Sequence, residues 1–301
     1  MNDDAGRPPV MANPRAERVR EVARLATRSG RSRSLRFLVE GPQAVREAVR
    51  LHQERSTDGG DAVVHQIYAT PEAAERHPDL LADVPGVEPR LAEPAVIAAM
   101  ADTVSPQGIV AVCHQPQAGL VDVLAAKPRL IAVLCEVQDP GNAGTILRAA
   151  DAAGADAVVA TTGSVDLFNP KAVRSTVGSI FHLPIVTGVD FDDLAATLRR
   201  SGTGILAADG YGSADLDELQ DRAAAHRLGS PDDADPVLER PTAWLFGNEA
   251  AGLGEQQLEA ADLRVAVPLY GVAESLNVGT AATVCLYASA RAQRRSRRPG
   301  Q

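Results

Sequence analysis

Residues 128–154 read PRLIAVLCEVQDPGNAGTILRAADAAG, and this stretch decides the fold. Its first third is apolar on both faces, as a central strand of a parallel sheet must be when helices cover both sides. Gly141 and Gly144 let the backbone turn tightly and approach a ligand, and the apolar spacing that follows is helical up to Gly154. Strand, glycine-containing loop and helix make the repeating unit of an open α/β sheet, whose ligands bind beyond the carboxyl ends of the strands. Taken alone, the loop reads as a capped helix, with Asn142 as N-cap and Arg148 as a surface charge. A dinucleotide phosphate loop fits poorly, because G-N-A-G-T lacks the third glycine and no suitably placed acid follows to hold a ribose.

The same alternation runs outward in both directions. Downstream, ADAVVAT, LPIVTG, GILAAD, TAWLFG and LRVAVPL predict strands, and NPKAVRSTVGSIF, DDLAATLRRSG, EQQLEAAD and LNVGTAATVCLYASARAQRR predict helices. Upstream, residues 31–114 form a second α/β series, with strands at LRFLVEG, VVHQIYAT and GIVAVCH and helices at 43–53, PEAAERHPDLLAD and PAVIAAMAD. The first fourteen residues have no periodicity and are expected to be disordered, whereas Val19, Val22 and Leu25 among arginines predict a basic amphipathic helix. The expected organisation is a basic helical or disordered segment at 1–30, a smaller α/β domain at 31–117, a larger α/β domain at 125–291 and a basic tail at 292–301. Within the larger domain, the Asp-, Ser- and Pro-rich segment 211–241 reads as an acidic insertion forming a solvated loop.

Two further loops leave strand ends. In WLFGNEAAGLGE, 244–255, Gly247 leaves room for a planar ligand against the backbone. Glu249 there is placed to orient Arg148, to bond a ligand hydroxyl, or simply to suit a helix N-terminus. In AVPLYGVAESLNVGTAATVCLYA, 266–288, Ser275 is the expected N-cap of a long apolar helix. Asn277 resists that explanation, because an amide in the first turn is neither a good helix former nor core material.

Composition bounds the partners. The 301 residues carry 39 acids against 30 basic side chains, a net charge of −9 that at first argues against nucleic acid. That average conceals a split, since residues 188–239 hold 12 acids against 4 arginines while residues 1–60 hold 12 arginines against 8 acids. Three cysteines without a CxxC pair exclude a disulfide framework, and Cys113, Cys135 and Cys285 read as core. No apolar run approaches the ~18 residues of a membrane span, so a cytoplasmic protein is expected. His65, His114 and His182 lack metal-ligand spacing, and no metal is assigned.

Taken together and in order, NAGTILRAADAAGAD, LFGNEAAGL and VPLYGVAESLNVGTAATVCLY resemble the signature motifs of the SpoU-type (TrmH) ribose methyltransferases of the SPOUT class. NPKAVRSTVGSIFHLPIV, 169–186, is similar to the matching segment of ribosomal-RNA members, and FLVEGPQAVREAV, 37–49, resembles the start of their small substrate-binding domain. The resemblance implies a trefoil-knotted C-terminal catalytic domain, a homodimer, and transfer of a methyl group from S-adenosylmethionine to a ribose 2′-hydroxyl of RNA, 23S ribosomal RNA first. A tRNA enzyme of the same class is the alternative, and a nucleotide-binding module or dehydrogenase a remote one. Carried over by position, Gly247, Val267 and Leu276 hold the methyl donor, and Asn142, Arg148, Glu249, Ser275 and Asn277 are the polar catalytic positions. Gly279 stands where many relatives have Ser, a departure expected to loosen the start of the last helix. Substrate grip is expected from residues 31–114, the basic N-terminal helix and arginines such as Arg174.

Overall fold

The computed structural model describes residues 9–116, 118–229 and 235–293. The basic tail expected from 292 therefore lies almost wholly outside the described residues. The chain forms two compact units, one made of residues up to 116 together with 166–182, the other of the remainder.

In the first unit, four strands, β1 (Arg36–Glu40), β2 (Val64–Ala69), β3 (Arg90–Leu91) and β4 (Ile109–His114), form a sheet in the order β1-β4-β2-β3. β4 pairs antiparallel with both β1 and β2, and β3 lies parallel to β2. Both sheet faces are covered, which is why Phe37, Leu38 and Val39 are apolar in succession rather than alternating with polar residues. Leu38, Tyr68, Val110 and Val112 pack with Val19, Val22 and Leu25 of the N-terminal helices and with Ile97 and Met100. Phe37, next to Leu38 and so on the opposite face, meets Phe168 and Phe181 at ring-centroid distances of 5.1 and 5.8 Å. The partners come from 166–182, and buried Arg31 secures that segment by giving Nε and Nη2 to Asp166 Oδ2, both at 2.7 Å.

Three expectations change in this unit. The start is not wholly disordered, because Met11 pairs with Ala92 beside β3, its N–H donating to Leu91 O at 2.9 Å. The helix expected over PEAAERHPDLLAD stops at Arg76 and resumes as a single 3₁₀ turn at Pro78–Leu80, since Pro78 has no N–H to continue it. NPKAVRSTVGSIF likewise breaks after Pro170–Thr176, where Val177 and Gly178 both take positive φ before a 3₁₀ turn at Ser179–Phe181.

The second unit is a sheet of seven parallel strands. These are β5 (Leu130–Leu134), β6 (Ala157–Thr161), β7 (Ile185–Val189), β8 (Gly204–Ala208), β9 (Ala214–Asp215), β10 (Thr242–Phe246) and β11 (Leu263–Ala266), ordered β7-β6-β5-β10-β8-β11-β9. The order runs outward from β5 in one direction and from β10 in the other, so the switch point lies between these two fully buried strands. Ile131, Val133, Val159, Ile205 and Leu245 pack on one face with Phe191, Leu194 and Leu198 of a helix at Phe191–Ser201. Helices Pro140–Ala153 and Val278–Gln293 pack against each other and against β5, and the latter also meets β10. Trp244 Nε1 there donates to Ser289 Oγ at 2.9 Å, both residues being fully buried.

Segment 211–241 is not a simple solvated loop. β9 adds to the sheet edge beside β11, and a helix follows at Leu216–Leu228 with Leu216, Leu219 and Ala223 buried. Asp215 caps it by accepting from the N–H groups of Asp217 and Glu218, so several acids that looked like an insertion serve a helix N-terminus.

Replacing Ser289 by Ala strands the Trp244 N–H in a dry interior. The expected cost is about 1–3 kcal/mol, read as a lower thermal midpoint for the second unit. An unchanged melt would show that the bond contributes nothing net.

Candidate active site

The loops after β5 and β10 leave adjacent strands in register, Leu134 opposite Phe246, with Cys135 N–H donating to Phe246 O at 2.8 Å. The first loop turns at Glu136, which holds the left-handed backbone region at φ 55°. Its carbonyl accepts from Asn248 Nδ2 at 3.1 Å and Gln138 Nε2 at 3.2 Å, contacts that hold a conformation unfavourable for a non-glycine residue. The helix then begins at Pro140, and its N-cap is Asp139, which accepts from Asn142 N at 2.9 Å. Asn142 is therefore in the first turn and not the cap.

That displacement frees the Asn142 amide for other contacts. Glu249 accepts at one oxygen from Asn142 Nδ2 and Asp139 N, both at 3.0 Å, and at the other from Gln138 N at 3.1 Å. Asn142 Oδ1 in turn accepts from Asn277 Nδ2 at 2.9 Å. Asn277 Oδ1 accepts from the N–H groups of Gly279 at 2.9 Å and Thr280 at 3.4 Å, so Asn277, not Ser275, caps the last helix. Partial burial alone would push the Glu249 carboxyl up, but the hydrogen bonds from Asn142, Gln138 and Asp139 together hold it below its ordinary value.

A charged, acceptor-only Glu249 dictates the polarity of the whole chain. Asn142 must offer its Nδ2 to the carboxylate, hence its Oδ1 to Asn277, hence the Oδ1 of Asn277 to the helix N-terminus.

Gly247 departs from the reading that its space serves a ligand. A Cβ there would lie 2.4–2.5 Å from backbone atoms of Gly252 and Leu253, so the space is filled by the loop's own return. Asn248 and Gly252 close that loop with two mutual backbone hydrogen bonds of 2.8 and 2.9 Å. Gly279 departs too. A Cβ at 279 would stand 2.8 Å from Thr145 Cγ2, and Thr145 is held by its hydroxyl bond to Gly141 O. The glycine thus tightens the junction of two helices instead of loosening one.

Beside these loops lies a cavity of about 810 Å³, within the roughly 300–1,000 Å³ range of small-molecule sites. Gly247, Val267 and Leu276 line it, as do Glu249, Ser275 and Asn277. Asn142 meets the site through Glu249 and Asn277. Arg148 lies outside this network: it is exposed, and it makes no hydrogen bond or ion pair among the described residues. Glu249 consequently does not orient it. Ser275 is exposed and likewise makes no side-chain hydrogen bond among the described residues. Asn248 and Gln138, which pin the two loops, were not singled out from sequence; their position just after apolar strands was the available signal. Asp209 and Arg264 were also missed, and they form an ion pair of 2.7 Å in the cavity wall.

Arg174, expected to grip substrate, is committed to Glu40 at 2.7 Å and Asp102 at 2.8 Å. Burial pushes the Cys135 and Cys285 thiols up to about 12 and raises Cys113 further, so none is a nucleophile.

The residues of this site lie within a stretch that matches a known family. The SpoU rRNA Methylase family matches residues 129–287. The chain belongs to the SpoU rRNA methylase family. An MRM3-like substrate binding domain matches residues 16–111, which take in the N-terminal helices as well as the four-stranded sheet. The SpoU relative RlmP of Bacillus subtilis, a 23S rRNA (guanosine(2553)-2′-O)-methyltransferase, is 36% identical over 90% of this chain and 95% of its own. A 23S rRNA (uridine(2479)-2′-O)-methyltransferase of Streptomyces viridochromogenes is 33% identical over 62% of this chain and 61% of its own. Among solved structures, the SpoU methyltransferase AviRb from Streptomyces viridochromogenes, in complex with the cofactor AdoMet, superposes with a TM-score of 0.75 at 29% identity. That match covers 94% of this chain and all of AviRb. SpoU membership replaces the dinucleotide reading of residues 135–154.

Two outcomes follow. Gly279→Ser should lower the thermal midpoint by forcing the two helices apart, and Thr145→Ala in the same chain should restore it; a single variant as stable as the parent would refute the close packing. Because the Glu249 carboxyl is lowered on folding, its contribution is present above about pH 4.5 and is lost as pH falls through the folded value. Glu249→Gln should therefore melt earlier than the parent near neutrality and converge with it as acid takes the carboxyl through its folded value; a gap that stays constant into acid would mean that charge is not what the tether uses.

Proposed function

We propose that this protein methylates a ribose 2′-hydroxyl of ribosomal RNA, 23S ribosomal RNA in the first place, using S-adenosylmethionine as methyl donor. The observation that carries the reading is the Glu249–Asn142–Asn277 chain of hydrogen bonds beside the cavity lined by Gly247, Val267 and Leu276. Three separate strand ends are joined there by polar groups in an SpoU chain whose relatives act on that substrate. When bound, the donor supplies an activated sulfonium methyl, so the protein's tasks are placement of the nucleophile and management of one proton.

Gly247, Val267 and Leu276 hold the donor largely through backbone groups, with Leu276 adding apolar wall. Asn142, Glu249 and Asn277 keep the loops in register, and Ser275, exposed in the cavity wall, offers its hydroxyl to the substrate. Arg148, exposed and without a partner among the described residues, is available to an incoming nucleotide. A guanidinium is a reluctant base, so it acts on the 2′-hydroxyl chiefly by orienting it together with an adjacent phosphate. The segment after β11 threads the loop after β10 as a trefoil knot, a reading supported by their sharing the walls of one cavity.

The active form is a homodimer in the cytoplasm. Val284 and Tyr287, one turn apart and part-exposed on the last helix, and exposed Leu269, Tyr270 and Val272 before it, supply apolar surface for a second copy. Among the described residues no helix is long and apolar enough to cross a membrane.

Arg148→Ala should cut methylation of a 23S rRNA transcript by roughly two to four orders of magnitude while leaving S-adenosylmethionine affinity, measured by calorimetry, nearly intact. Lost donor affinity with normal turnover would reverse the assignment.

A further inference from the structure

In the four-stranded sheet, Arg36 on β1 is the direct register partner of His114 on β4. His65 sits where β2 bulges between Val64 and Gln66, and its ring stands edge-on to that of His114 with centroids 5.6 Å apart. Three basic side chains from three neighbouring strands are thus gathered at one place. Among the described residues, Arg36 Nε is buried there without a hydrogen-bond partner. Arg31, the buried arginine of the same unit, contrasts with it, being bonded to Asp166 and to the carbonyls of Leu25 and Ala26. A desolvated guanidinium nitrogen with no acceptor is costly, and the described residues supply none.

The surrounding charges do not remedy this. Burial and then the Arg36 charge lower both His65 and His114, and Asp61 is the acid that opposes the shift at His114. His52, which also acts on His114, is committed elsewhere: its Nδ1 accepts from the N–H groups of Val63 and Val64, and its Nε2 meets Pro85 O at 2.7 Å. An anion with several acceptor oxygens would satisfy Arg36 and favour protonation of both imidazoles together.

We propose that Arg36, His65 and His114 form a binding site for a backbone phosphate of RNA, one whose grip tightens as the two histidines take up protons. The proposal rests on the RNA reading above and assigns a contact to the first unit that carries no base information.

The test is filter binding of the full chain to a 23S rRNA transcript and to a poly(U) oligomer, over a salt series at pH 7.5 and 5.5. Arg36→Gln should weaken both RNAs by roughly three- to tenfold and lower the slope of log affinity against log salt by about one. The double variant His65→Gln/His114→Gln should match the parent at pH 7.5 but lack the tightening that the parent shows at pH 5.5. Parental salt slope and pH response in both variants would overturn the site, as would an Arg36→Gln loss confined to the 23S transcript. Methylation by the parent separates the two levels. A parent that methylates while the variants bind unchanged loses only this site; a parent that neither binds nor methylates RNA loses the site and the RNA reading together.

Discussion

The catalytic unit depends on one carboxylate with more donors than neighbours to share them with. Glu249 accepts from two backbone N–H groups and one amide of a loop 107–111 residues earlier in the chain. Because it is ionised, it cannot return a proton, and every amide beyond it has a single allowed orientation. The far end is fixed by the free N–H groups of the last helix, which also accept nothing. Between these two ends Asn142 and Asn277 have no freedom to flip, and three loops that would otherwise move separately share one geometry. A neutral side chain at position 249 could fill the same space but would leave the direction of the chain undetermined.

The central strands of the second unit were legible because a strand buried on both faces must be apolar at nearly every residue, and LIAVL, AVVAT and TAWLF are; the two-residue edge strand β9 was not. Helix ends were harder. Asp139 and Asn142 are both good N-caps, and so are Ser275 and Asn277; type alone does not choose between them. Pro140 was the missed discriminator, since proline is favoured at the first helical position and so points to Asp139. Asn142, Glu249 and Asn277 stood out by residue type and order, but the contacts that join them did not. Glu249 and Arg148 are complementary in charge, yet the carboxylate is saturated by nearer donors.

Charge was the least informative feature when read as a total. Asp190 and Asp215 each cap a helix, Asp192, Asp193, Asp217 and Glu218 fill first turns, and Asp209 is paired with Arg264. Much of the acidity of 188–239 is thus local helix and cavity chemistry. Arginine is subject to the same caution, for Arg31 and Arg174 hold the first unit together and leave little for a ligand. What distinguishes a binding arginine is the absence of a protein acceptor, a property that only coordinates reveal.

The residency of 166–182 in the first unit also bears on how the chain is made. The segment leaves the second unit after β6 and returns to it before β7, so neither unit is one continuous stretch. During synthesis the first 116 residues emerge with Phe37 uncovered and Arg31 without its acid, and both wait for partners about 130 residues downstream. Completion of the first unit is therefore delayed until β5 and β6 of the second have left the ribosome. The two units alternate along the chain, and a chain stalled before residue 182 lacks segments of both.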